Sequence, residues 1–136
     1  MNRLQTPEGL NRWPVLIILG LAMAAVATVG PHLLRGPTFI AEMKIVNPSE
    51  YDIHVDVRSG EGDGWLPVTT ANSGATTAAV DVVDQGADWV FRFSAQGRHG
   101  GELRTTRTNL KQAAWSIDIP EHVTAHLRQQ GALPSP

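Results

Sequence analysis

The chain predicts an all-β fold class with a membrane helix in front. The expectation is an N-terminal transmembrane helix, then a seven-stranded antiparallel Ig-like β-sandwich with a short C-terminal helix. Three observations carry it. Residues Trp13–Leu34 contain no Asp, Glu, Lys or Arg. From Phe39 onward apolar residues recur at alternate positions, the period of a strand with one wet face. Turn residues interrupt that alternation about every eight to twelve residues, the spacing of a sandwich.

Residues 1–12 read as a cytoplasmic leader. Arg3, Arg12 and the amino terminus stand against Glu8, and only Arg35 follows the apolar run closely. This bias predicts a cytoplasmic N-terminus and an extracytoplasmic domain. As a helix, residues 13–34 would rise about 33 Å, close to the hydrocarbon thickness of a bilayer. Trp13 sits where an interfacial aromatic anchors a spanning helix, and Pro31 should end or kink it near Gly30. Ala22-Met23-Ala24 and Ala25-Val26-Ala27 also meet the small-residue requirement of a signal cleavage site. The apolar run continues past both sites through Val29, Leu33 and Leu34, which favours a retained signal anchor. Gly20, Ala24 and Thr28 recur every four residues and share one face, the kind of seam on which a partner transmembrane helix packs.

Residues 35–38 form a linker. The first strand places Phe39, Ala41, Met43 and Ile45 on one face and Ile40, Glu42, Lys44 and Val46 on the other. After the turn Asn47-Pro48-Ser49-Glu50, Tyr51, Ile53, Val55 and Val57 alternate with Asp52, His54, Asp56 and Arg58. The Ser59–Gly64 loop invites a calcium reading through Glu61 and Asp63, but two carboxylates at that spacing do not make a ligand loop for a hard cation. Trp65–Thr70 contains Pro67 and is expected at a sheet edge. Thr77–Val83 is the next strand. Asp88–Gln96 follows, with Trp89, Phe91, Phe93 and Ala95 expected to fill the core rather than to form a ligand platform. Gly97–Gly101 reads as a turn, Glu102–Thr108 as a polar strand, Asn109–Ala114 as a loop or one helical turn, and Trp115–Ile119 as the last strand. The strands should pair antiparallel, because no crossover helix separates them.

Pro120 opens a helix at Glu121, with Val123 and Leu127 on one face and Gly131 as its stop. The domain is expected over residues 39–131, with 132–136 a flexible tail. His122 and His126 have the i, i+4 spacing of a zinc pair, yet the Glu of the HExxH motif is missing and no third ligand is tied to them. A solvated histidine pair is the better reading.

Cysteine is absent, which excludes disulfides, thiolate metal sites and Cys nucleophiles. A formal charge of −2 gives no basic excess for nucleic acid. No nucleophile elbow, Walker loop or dinucleotide fingerprint occurs. Asp52 and Asp56 fall on a polar outer face, where paired carboxylates serve solubility. The sequence therefore predicts no catalytic residue, no metal, no cofactor and no small-molecule substrate. Nine acids between Glu42 and Asp88 face two cations, and Arg92, Arg98, Arg104, Arg107 and Lys111 then face Glu102 alone. Strands interleave in a sandwich, so a mixed surface is expected. The sum is a non-enzymatic single-pass protein of the cell membrane, an accessory subunit or adaptor. A periplasmic or secreted binding module released by cleavage is the alternative.

Overall fold

The computed structural model describes residues 36–136. Trp13–Leu34, with its Gly20, Ala24 and Thr28 seam, lies outside them. Among the described residues no helix is long and apolar enough to cross a membrane. These residues form seven strands: β1 (Phe39–Val46), β2 (Ile53–Ser59), β3 (Leu66–Ala71), β4 (Thr76–Val83), β5 (Asp88–Ala95), β6 (Arg98–Thr106) and β7 (Ser116–Asp118). Two helices, α1 (Arg107–Gln112) and α2 (Glu121–Gln129), flank β7. The strands build a sandwich of two sheets, one ordered β4-β1-β7 and the other β3-β2-β5-β6.

Alternation places the core. Ile53, Val55 and Val57 of β2 and Trp89, Phe91 and Phe93 of β5 are fully buried against Met43 and Ile45 of β1. Each such side chain contributes about 1.5–3 kcal/mol by leaving water. The aromatic row of β5 is therefore core, as its spacing predicts. Trp89 stacks beside Phe91, tilts against Trp115 with ring centroids 5.9 Å apart, and donates its indole N–H to the Gly86 carbonyl at 3.0 Å.

Two features of β1 depart from the expectation. Ile40 faces inward with Met43 and Ile45, whereas Phe39 and Ala41 are exposed. The partner strand makes the same three-residue step, since Ala79 and Val82 are both buried. Between these positions Ala41 and Asp81 drop out of the ladder, and Asp81 adopts a left-handed φ of 52°. Aspartate tolerates that conformation, and it turns the strand by one face.

The expectation of all-antiparallel pairing also fails: β7 runs parallel to β1 on the far side from β4. The reason lies in the route of the chain. The Arg107 N–H bonds the Ala87 carbonyl and the Asp84 N–H bonds that of Thr38, so β6 ends where β1 begins. A strand leaving that end must run as β1 does. The reversal is made by α1, which closes in a Schellman motif: the Ala114 N–H bonds Lys111 and the Trp115 N–H bonds Leu110. Ala114 and Trp115 both hold left-handed φ, 51° and 57°. A side chain bears that conformation at about 1–2 kcal/mol per residue.

The edges are guarded in four ways. Pro67 removes a donor from β3, β7 is three residues long, Asp81 kinks β4, and α2 packs over β6. The last contact needs Gly100, because a Cβ there would lie 2.8 Å from Val123. Val123 and Leu127 are buried as their spacing predicts. Gly131, at φ 73°, ends α2 with bonds from Gly131 to Arg128 and from Ala132 to Leu127, a second Schellman motif.

Two boundaries shift. The β5–β6 turn is Gln96-Gly97 alone, and β6 begins at Arg98, the second residue of the expected turn. The tail, expected to be flexible, is tied down instead. Ala132 is buried, Leu133 exchanges two hydrogen bonds with the Gln96 amide, and Ser135 bonds the backbone of Glu50 and Asp52.

Candidate functional site

The densest polar cluster lies on the outer face of the four-stranded sheet. Because Ile53, Val55 and Val57 point inward, His54, Asp56 and Arg58 point out. Register then sets Asp56 opposite Arg92 and His54 opposite Thr70. Asp56 Oδ2 accepts from Arg92 Nη2 at 2.6 Å and Nε at 3.1 Å, a charge-assisted pair in which the carboxylate is largely buried. Its Oδ1 lies 3.2 Å from His54 Nε2, and His54 Nδ1 lies 3.4 Å from the Thr70 hydroxyl. Trp65 covers the cluster, its ring 4.3 Å from the Arg92 guanidinium carbon and 5.0 Å from that of Arg58.

Thr70, His54 and Asp56 thus have the order hydroxyl, imidazole, carboxylate. That order serves nucleophilic catalysis when the hydroxyl hydrogen-bonds its base and a pocket holds the substrate. Here the hydroxyl contact is long, the threonine lies on an edge strand, and the carboxylate is already committed to Arg92. Neither of the two hollows described below is lined by these residues. The cluster fastens β2 to β5 and β3.

Each of the other sequence candidates can be placed. Glu61 and Asp63 are exposed. The loop they stand on is organised by a cation of the chain itself: Arg58 Nη1 donates to the carbonyls of Ser59, Gly60 and Gly62 at 3.3, 3.3 and 2.9 Å. Asp52 accepts from the Ser73 N–H and does not meet Asp56. His122 and His126 are exposed on α2, and among the described residues no group of three His, Cys, Asp or Glu is set to hold a metal ion. The sequence-local charge asymmetry is dissolved in part by folding, since Asp56 takes Arg92 and Asp84 takes Arg107 at 2.7 Å.

One groove, of about 430 Å³, runs between the Pro48–Glu50 turn and α2. Glu50 and Arg128 bridge it at 3.1 Å. The Arg128 guanidinium, then the Tyr51 hydroxyl, hold the Glu50 carboxyl below its ordinary value, and Glu50 raises Arg128 in turn. A smaller hollow of about 140 Å³ lies by Gly60, Asp88 and Arg104. Beside the groove Asn47 is a buried hub. Its amide donates to the carbonyls of Tyr51, Ala71 and Asn72, and its Oδ1 accepts from the Ser49 N–H and hydroxyl.

The sequence could not reveal the Asp56–Arg92 pair, whose residues lie 36 positions apart, or the Trp65 cover, because both depend on contacts that only the folded sheet makes. The alternation of His54, Asp56 and Arg58 was the one available signal. Comparison with protein-family models, curated proteins and solved structures returned no match.

Proposed function

We propose that this chain is a non-enzymatic, single-pass membrane protein that presents an Ig-like sandwich outside the membrane as an accessory subunit or adaptor of a membrane protein complex. The observation that carries the reading is the uncharged run Trp13–Leu34, separated by four residues from the first strand of the sandwich. The polar clusters of the domain support it, since they are spent on holding strands, a loop and a tail together. The strand order supports the Ig-like part. In such folds strand B pairs with E, and C with C′ and F; β1–β4 and β3-β2-β5-β6 have that arrangement, with β7 beside β1 where a first strand would lie.

Membranes carrying the full chain should retain it through alkaline carbonate washing, and mild detergent should co-purify a second membrane protein. A chain that washes off, or that always runs alone, refutes the corresponding half of the reading. The Ala-x-Ala sequences favour the alternative of a released binding module, and N-terminal sequencing decides. A mature start at Ala25 or Thr28 means release.

A further inference from the structure

The outer face of the three-stranded sheet mixes exposed apolar and charged side chains. Its central row, along β1, is Phe39, Glu42 and Lys44, all exposed, followed by half-buried Val46. Beside it on β4 run half-buried Val83, then Val80 and Ala78, opposite Phe39, Glu42 and Lys44 respectively. Phe39 is 54% and Val80 69% exposed, so two of the four large exposed apolar side chains among the described residues share this face. β7 adds only Ser116 beside Lys44 and Asp118 beside Val46.

We propose that two copies of this chain pair through this face, about a two-fold axis that crosses β1 at Met43, perpendicular to the strands and in the plane between the sheets. That operation lays β1 antiparallel over its twin and β4 over its twin. Glu42 then faces the twin's Lys44 and Lys44 faces its Glu42. Ala78 faces the twin's Val80, small against large, and Phe39 reaches the region of the twin's Val46. One patch is thus complementary to itself in charge and in shape, which an isologous contact requires. On β1 the charges are one acid and one base, two residues apart, so they pair under this axis, while β4 adds the exposed Asp81 at its kink. A partner of single-sign charge would leave one of them opposed.

Size fixes the setting in which the pair forms. Three strands about 4.8 Å apart and six residues long at about 3.3 Å each present roughly 300 Å² of sheet, well short of the about 800 Å² per partner of a stable complex. The face is too small to hold two freely diffusing copies. It suffices when a common membrane confines them, because tethering raises the effective concentration. The pairing therefore rests on the membrane-anchored reading above.

The test uses the full chain, labelled at its N-terminus and reconstituted at low density in phosphatidylcholine vesicles, with copy number counted by single-molecule photobleaching. Two-step bleaching is expected for the wild type. Glu42→Lys sets Lys against Lys twice and should weaken the pair at least about tenfold. Glu42→Lys with Lys44→Glu restores the charge match and should restore two-step bleaching. Circular dichroism of each variant checks folding. One-step bleaching of the wild type overturns the proposal. So does a dimer that Glu42→Lys leaves intact, and loss of that dimer on Gly20→Leu would assign it to the apolar segment. Carbonate extraction of the same vesicles reports the anchor separately: a chain retained but single refutes the pairing alone, whereas a chain released refutes the anchor and the pairing that rests on it.

Discussion

The two outer faces of the sandwich are made from the same alternation and finished in opposite ways. On the four-stranded sheet the long polar side chains midway along the central strands have partners in the fold: Asp56 holds Arg92, Arg58 holds its own loop, and Trp65 lies against both guanidinium groups. On the three-stranded sheet Glu42 and Lys44 have no ion-pair partner among the described residues, and Phe39 and Val80 stand in solvent. The first face spends its chemistry inward to join four strands. The second keeps its chemistry outward. The difference teaches where to expect stability and where to expect contact.

The contrast breaks most severely at Asp56. Asp56→Ala leaves Arg92 beside buried surface without its carboxylate, and a charge stranded in a dry interior loses several kcal/mol. Arg92 keeps 33% of its side chain in water, so a loss of about 2 kcal/mol in urea unfolding is expected. A loss below about 0.5 kcal/mol would mean that the closed face is not held by this pair. Trp65→Ala removes two cation–π contacts at a partly exposed site and should lower stability by about 1–1.5 kcal/mol.

Smaller effects sharpen the comparison. Ala114→Gly relieves one left-handed residue behind β7, at the margin of the open sheet, and should raise stability by about 0.5–1 kcal/mol. Thermal denaturation reads it, and a fall instead would show that the turn is not strained. Val80→Thr on the open face should change stability by less than about 0.5 kcal/mol, because it touches no buried contact.

The Glu50–Arg128 bridge is smaller still. Glu50 titrates below its ordinary value of 4.5 in the folded chain, so its contribution is complete above that pH. It is lost as pH falls through the lowered folded value. Glu50→Gln should flatten that part of an acid unfolding curve and leave neutral pH almost untouched.

Much of the sandwich was legible in the sequence because strand alternation is a local signal. Ile53 to Arg58 and Asp88 to Ala95 reveal both their type and their buried face with no knowledge of a partner. Helix α2 was legible from Pro120, Val123, Leu127 and Gly131 for the same reason. What was not legible depends on events at a distance. The inward turn of Ile40 requires Asp81 to adopt a left-handed backbone on another strand. The parallel pairing of β7 follows from the meeting of Asp84, Thr38 and Arg107 at one end of the sandwich. The tail read as loose because its own residues carry no anchor; Gln96, Glu50 and Asp52 supply it. The candidate cluster suffered most. His54, Asp56 and Arg58 look like a solvated stripe until register brings Arg92 and Trp65 over them.

Arg58 has a consequence for the conditions under which the domain keeps its shape. Glycine loops whose carbonyls converge on a point are commonly completed by a dissolved ion, and their rigidity then rises and falls with the supply of that ion. Here the positive charge is covalently part of the chain and arrives with the fold. The carbonyls of Ser59, Gly60 and Gly62 are thus held by a cation that no exchange of buffer can remove.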